Sequence, residues 1–140
     1  MDHDLPHSGE KLKMIFDRKA GLAMICILAV MQGILRFAIA FSILSGNGPE
    51  LENPISDELS LAINGIFIVL GGAGILTAVG LWQMKAWGYV STLVLSAGTI
   101  IFDLLAGALI QSSAYMGMIL PIVFIVYLLL NKDDFQGASN

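Results

Sequence analysis

Apolar residues follow one another along this chain in four long runs, and short polar segments separate the runs. An apolar run of about 18 or more residues is typical of a membrane-spanning helix, because a hydrocarbon core of roughly 30 Å needs about 20 residues that each rise 1.5 Å. The pattern therefore predicts an all-α fold, an integral membrane four-helix bundle in which consecutive helices are antiparallel. The predicted spans are residues 21–44, 61–82, 87–110 and 114–130.

The segments outside these runs are polar or mixed. Residues 1–9 are predicted to form a mobile N-terminal tail, and residues 131–140 a C-terminal tail in water. Residues 10–20 carry apolar side chains at helical spacing, which predicts a short interfacial helix or an inward extension of the first span. Pro121 lies inside the fourth span, where a kink is expected.

The distribution of charge predicts an orientation. The chain is 56% hydrophobic and 13% charged, whereas a soluble domain carries about 25% charged residues, so a lipid bilayer is the expected environment. Basic residues gather near cytoplasmic helix ends in membrane proteins. The alternation of spans puts six of the seven on one side, which predicts a plasma-membrane protein with both termini cytoplasmic. These six are Lys11, Lys13, Arg18, Lys19, Lys85 and Lys132.

Aromatic residues surround the turn between the second and third spans. Trp82, Trp87 and Tyr89 flank Lys85 in the sequence. Amphipathic rings and basic side chains favour the membrane–water interface. These four residues are therefore predicted to be interfacial anchors.

Two charged residues lie within the spans. Arg36 and Asp103 are each about 22 Å along their helices from the inner end, at 1.5 Å per residue. An unpaired charge at a span centre costs roughly 2.5–3.5 kcal/mol, so the matching depth predicts an Arg36–Asp103 pair, with Thr99 and Gln32 as further hydrogen-bond partners. The pair would fix helix register or handle protons, ions or a headgroup; alternatively, Arg36 extends outward to the interface.

Hydroxyl side chains form a stripe along the third span. At 100° per residue, Thr92, Ser96, Thr99, Asp103 and Gly107 share roughly one sixth of the helix circumference. The stripe is interpreted as polar contact between helices or as the wall of a polar pathway. A third interpretation is coincidence, because serine and threonine also bond their own backbone.

Small residues predict where the helices approach one another. Lipid gives apolar side chains no reason to prefer a neighbouring helix, so close packing in membranes uses small residues. The candidates are Ala29 and Gly33 in the first span and Gly71, Gly72 and Gly74 in the second.

Recognisable catalytic chemistry is absent from the sequence. There is no paired-carboxylate set, no Ser/His/Asp set and no phosphate-binding loop, and no basic patch interleaved with aromatics that would favour nucleic acid. No cofactor and no enzymatic activity are expected. His3 stands third from a free amine, an arrangement that chelates Cu(II) or Ni(II); the alternative is a tail without metal.

Two motifs resemble a known group of proteins. Residues 80–89 contain Gly-Leu-Trp followed by Lys85 and Trp87, and residues 131–135 read Asn-Lys-Asp-Asp-Phe. Over residues 60–135 the chain resembles small four-span membrane proteins of bacteria and archaea that are grouped as a domain of unknown function. The resemblance implies a four-helix bundle and carries no catalytic residue across.

The expected function follows from these features. Small-residue seams without a reactive constellation favour a structural or accessory membrane protein that packs against partner chains or self-associates. The alternative is a small transporter or channel with a polar pathway along the third span, past Thr92, Ser96, Thr99 and Asp103.

Overall fold

The chain folds as a helical bundle. The computed structural model describes residues 8–48 and 50–137, and within these ranges every regular element is helical. His3, the candidate copper or nickel ligand, lies outside the described residues. The elements are α1 (Ser8–Leu44), α2 (Asp57–Trp82), α3 (Ala86–Leu109), a 3₁₀ helix (Ser112–Met118), α4 (Ile119–Leu130) and α5 (Lys132–Gln136).

Among the described residues, four helical stretches are long and apolar enough to cross a membrane. Their outward surfaces remain apolar after folding: Leu130 is 80% exposed, Met116 76% and Phe41 72%. Such a surface is stable against lipid and unfavourable in water. The stretches are Asp17–Leu44, Asp57–Trp82, Ala86–Leu109 and Ser112–Leu130.

Helix α1 is continuous from Ser8 to Leu44. Residues 10–20 therefore form the inward extension of the first span, the second of the two alternatives that the sequence left open. Residues 8 and 9, assigned to the N-terminal tail, are the first residues of the same helix.

Helix α2 has a defined start and end. The Ser56 hydroxyl accepts a hydrogen bond from Leu59 N at 3.3 Å, which satisfies one of the free N–H groups of the first turn. At the other end Met84 adopts a left-handed conformation with φ 56°, which turns the chain into α3 within three residues.

The fourth stretch differs from the kinked α-helix that its sequence predicted. It begins as the 3₁₀ helix Ser112–Met118 and becomes α-helical at Ile119. Pro121 lies in the first turn of α4, where proline is tolerated better than in a helix interior. The change of helix type thus precedes the proline.

The segment after the fourth stretch is folded onto the bundle. Residues predicted as a tail in water form the short helix α5, and Phe135 within it is only 2% exposed. Its ring packs against Tyr89 with centroids 5.3 Å apart. Acidic Asp133 and Asp134 lie in the first turn of α5, where the helix dipole favours negative charge.

The interior is divided along its length. An apolar cluster that includes Leu22, Ile25, Leu81, Leu128 and Phe135 fills the inner half. The buried polar side chains lie mostly beyond this cluster, toward the other end of the bundle, where Ala40 and Pro121 are also buried.

Candidate functional site

The site is a column of buried polar side chains between the helices, and its charged members are Arg36 on α1 and Asp103 on α3. Arg36 Nη2 lies 3.6 Å from Asp103 Oδ2, and the two residues are 8% and 5% exposed. This is an ion pair, although the distance exceeds that of a good hydrogen bond, about 2.7–3.2 Å. The pairing predicted from matching depth is therefore present in the structure.

Aromatic rings complete the environment of Arg36. The guanidinium carbon lies 5.7 Å from the centroid of the Phe67 ring, in cation–π distance. Phe67 in turn meets Phe102 edge to face, with centroids 5.7 Å apart. The arginine is thus held between α2 and the Asp103 carboxylate.

The 3₁₀ helix covers the carboxylate of Asp103. A Cβ atom placed on Gly117 would lie 2.5 Å from Asp103 Oδ2, so a larger residue here would displace the carboxylate. Gly107 receives the Tyr115 ring in the same way, with a Cβ atom only 2.6 Å from Tyr115 Cε1. Two glycines therefore seat the 3₁₀ helix on the outer end of α3.

Three buried polar atoms within the described part of the chain lack a hydrogen-bond partner: Arg36 Nη1, Asp103 Oδ2 and Asn64 Oδ1. Counted from the outer ends of their helices, they lie roughly 12, 9 and 10 Å deep at 1.5 Å per residue. Unpartnered buried polar atoms usually bind ordered water.

Asn64 is a member of the column that the sequence did not single out. It is 2% exposed and lies seven residues from the start of α2. A signal was present, because Asn64, Gly71 and Ala78 are buried at seven-residue spacing on α2. This spacing marks one helix face.

A small cavity lies beside the pair, toward the inner side. Its volume is about 30 Å³, enough for one or two water molecules. The Thr92 hydroxyl donates to Gly88 O at 2.7 Å and the Thr77 hydroxyl to Gly74 O at 3.0 Å, so both bond their own helix. The polar lining consists of Gln32, Arg36, Thr77, Thr92, Ser96 and Thr99.

Two predicted hydrogen-bond partners of the pair are placed elsewhere. Thr99 and Gln32 line the cavity, and neither hydrogen-bonds Arg36 or Asp103 within the described ranges. The Asp103 carboxylate lies instead against Gly117.

The predicted small-residue seam joins α1 to α2. A Cβ atom on Gly33 would lie 2.9 Å from Gly71 O, and one on Gly71 would lie 3.0 Å from Gly33 O. Ala29 is buried, and its carbonyl oxygen would lie 3.9 Å from a Cβ atom on Gly74. A Cβ atom on Gly72 would lie 3.8 Å from Phe37 Cζ, which is also ordinary van der Waals contact.

The four predicted anchors at the turn between α2 and α3 differ in their exposure. Trp82 is 62% exposed and Trp87 48%, and Lys85 is also exposed, as interfacial anchors would be. Tyr89, by contrast, is 7% exposed. It lies three residues before Thr92, on the inward face of α3, and its ring belongs to the apolar core.

A second glycine pair joins α2 to α3. A Cβ atom on Gly88 would collide with the backbone of Gly80, and one on Gly80 would lie 2.5 Å from the Trp87 ring. The sequence carries a signal for this contact, because Gly80 and Gly88 lie on the two sides of a tight turn.

The outer loop is tied to the outer end of α3. Glu52 accepts hydrogen bonds from the Ser112 hydroxyl at 2.6 Å and from Ser112 N at 3.1 Å, and these bonds hold the pKa of Glu52 below its ordinary value. Asn53 Nδ2 donates to Leu109 O at 3.2 Å and Asn53 N to Ile110 O at 3.1 Å. The loop thereby satisfies carbonyl groups that α3 leaves free at its end.

The ion pair links α1 to α3, and the cavity beside it has room for little else than water. Comparison with known protein families, with curated proteins and with solved structures finds no match to this chain. The resemblance of residues 60–135 to small prokaryotic four-span proteins stays a prediction, and the site is interpreted from its own residues.

Proposed function

We propose that this chain is a multi-pass integral membrane protein with a structural or accessory role, which packs against partner chains or self-associates and performs no catalysis of its own. One observation carries the proposal: the buried Arg36–Asp103 ion pair joins α1 to α3, and the cavity beside it measures only about 30 Å³. That volume accommodates water but no substrate.

The proposed topology is an antiparallel bundle in the plasma membrane with both termini cytoplasmic. Contacts support it, because Phe67 meets Phe102 while Gly80 meets Gly88, so later residues of α2 pair with earlier residues of α3. Basic residues at the inner ends support the orientation. Cysteines placed at Gly9 and Gly137 should be labelled from the same side of sealed vesicles, and labelling from opposite sides would refute this topology.

Exposed glycines support the association with other chains. A Cβ atom on Gly65 or on Gly98 would meet nothing within 4 Å, so the fold itself does not need glycine at either position. Glycine in a helix costs about 1 kcal/mol relative to alanine. A partner helix that approaches this surface closely would use the space that the missing side chains leave.

Purification in a gentle detergent tests the accessory role. We expect a co-purifying membrane protein or an oligomer of this chain, detected by cross-linking and native mass spectrometry. Gly98→Leu should weaken the association, whereas Leu104→Phe, at a 50% exposed position about 120° away around the same helix, should leave it unchanged. A chain that is monomeric and free of partners in native-like membranes contradicts the proposal.

A small transporter or channel is the second candidate, and the cavity favours it. Ser96 and Thr99 line that cavity next to Arg36, which places hydroxyls and a charge along one route. Flux of protons and monovalent ions into proteoliposomes, with and without Asp103→Asn, distinguishes the two functions. Loss of flux in a folded Asp103→Asn variant would favour a transporter or channel. Absence of flux with the unsubstituted protein would exclude protons and monovalent ions as its substrates.

A further inference from the structure

A second polar pocket lies at the inner end of the bundle, away from the buried column. Helix α1 contributes Arg18 and Lys19, α4 contributes Tyr127, and Asn131 lines the pocket directly after α4. Asp134 of α5 closes one side. The pocket has a volume of about 250 Å³, several times that of the cavity beside Arg36.

The depth of this pocket matches the headgroup layer of a bilayer. Lys19 is 25 residues before Leu44, which at 1.5 Å per residue places it roughly 38 Å from the outer end of α1. The hydrocarbon core is roughly 30 Å thick, and the headgroups extend the bilayer to roughly 40–45 Å. Lys19 therefore lies beyond the hydrocarbon, at the level of the inner phosphates.

The charges of the pocket leave one cation without a partner. Arg18 Nη1 donates to Asp134 Oδ1 at 2.8 Å, so these two form a neutral wall. Lys19 has no ion-pair partner among residues 8–48 and 50–137. The pocket thus carries a net charge of +1, which complements one phosphate diester.

The rest of the lining suits an amphiphile. Leu22, Met84 and Phe135 form an apolar floor beneath the charged mouth. Tyr127 Oη makes only a 3.5 Å contact to Arg18 O, so this hydroxyl is available to a ligand. A soluble anion would use the charged mouth alone, whereas a phospholipid headgroup with its glycerol and first methylenes would use the mouth and the floor.

We propose that this inner pocket binds the headgroup of an anionic phospholipid, with Lys19 on the phosphate and Tyr127 as a hydrogen-bonding group toward the glycerol. Arg18 and Asp134 form its wall. The proposal rests on the membrane embedding of the chain but not on its accessory role, so a chain that lacks partners would still bind this lipid.

Native mass spectrometry of the purified protein tests the site. The probe is an equimolar mixture of phosphatidylglycerol and phosphatidylcholine in mixed micelles. We expect preferential retention of phosphatidylglycerol and a loss of affinity of about fivefold in Lys19→Gln, since a basic residue near an anionic surface contributes about 1 kcal/mol. Lys19→Glu should lose more.

Lys132→Gln is the matched control, because Lys132 is also exposed at the inner end and does not line the pocket. It should retain phosphatidylglycerol as the unsubstituted protein does, with an unchanged melting temperature in both glutamine variants. Equal losses in Lys19→Gln and Lys132→Gln would indicate diffuse attraction and overturn the site. Equal retention of phosphatidylcholine, or equally tight binding of soluble glycerol 3-phosphate, would overturn the lipid as its ligand.

Discussion

Gly33 and Gly71 face each other across the crossing of α1 and α2 at backbone distance. A Cβ atom on either residue would lie 2.9–3.0 Å from the carbonyl oxygen of the other, closer than side-chain carbons approach backbone oxygens. The same crossing brings Arg36 Cβ within 3.5 Å of a Cβ atom on Gly71. The glycine contact therefore determines how close Arg36 lies to α2 and to Phe67.

Gly71→Ala should destabilise the bundle, because the added methyl group meets backbone that cannot move aside. Overpacking of this kind costs about 1–3 kcal/mol. Unfolding of the detergent-solubilised protein by a denaturing detergent, followed by circular dichroism, measures the change.

Gly72→Ala is the control for this prediction. Its methyl group would lie 3.8 Å from Phe37 Cζ, in ordinary contact, and alanine favours a helix by about 1 kcal/mol over glycine. The free energy of unfolding should rise or stay the same. Equal destabilisation by both substitutions would show that the close crossing of α1 and α2 does not exist.

Arg36→Gln and Asp103→Asn should each destabilise the protein strongly. Either substitution leaves the other charge buried without its partner, which costs about 3–5 kcal/mol. The double variant Arg36→Gln/Asp103→Asn removes both charges. Its loss of unfolding free energy should therefore be smaller than the sum of the losses of the two single variants. A double-mutant cycle of unfolding free energies gives the coupling between the two residues.

Thr92→Ala provides a reference for that cycle, because the Thr92 hydroxyl bonds only its own helix at Gly88 O. Its combination with Arg36→Gln should be additive within about 0.5 kcal/mol. Additive behaviour of Arg36→Gln with Asp103→Asn would mean that the ion pair contributes nothing.

Much of this arrangement is predictable from one-dimensional patterns, since long apolar runs predict four long helices and residue counts along them place Arg36 and Asp103 at one depth. The pattern does not distinguish a 3₁₀ helix from an α-helix, so the form of residues 112–118 was missed. Asn64 stood alone near a helix end and resembled an interfacial residue. Phe135 follows four charged or polar residues, 131–134, so its place in the core was not predicted.

Ser112→Ala should raise the pKa of Glu52. The Ser112 hydroxyl and then its N–H lower this pKa from an ordinary value of 4.5, and alanine retains only the N–H. A carboxyl group with a lowered pKa stabilises the folded chain above pH 4.5, and this contribution is lost as the pH falls through the lowered value. The acid limit of stability should therefore move to higher pH in the variant.

Carbon-13 NMR titration of the Glu52 carboxyl in micelles measures the pKa directly. Ser45→Ala is the control, because the Ser45 hydroxyl donates to Phe41 O and does not contact Glu52. An unchanged titration of Glu52 in Ser112→Ala would show that the outer loop is not bonded to the 3₁₀ helix.

Phe135→Ala should release α5 from the bundle. The ring is 2% exposed and packs on Tyr89, and truncation of a buried phenylalanine costs about 3–5 kcal/mol. Phe41→Ala, on a 72% exposed ring of α1, should change stability by only about 0.5 kcal/mol.

Asp134→Asn breaks the ion pair with the 62% exposed Arg18 side chain, and a pair that exposed contributes about 0–1 kcal/mol. Amide exchange across residues 132–136 should accelerate strongly in Phe135→Ala and little in Asp134→Asn, because the aromatic contact rather than the ion pair holds α5; the opposite order would contradict this assignment.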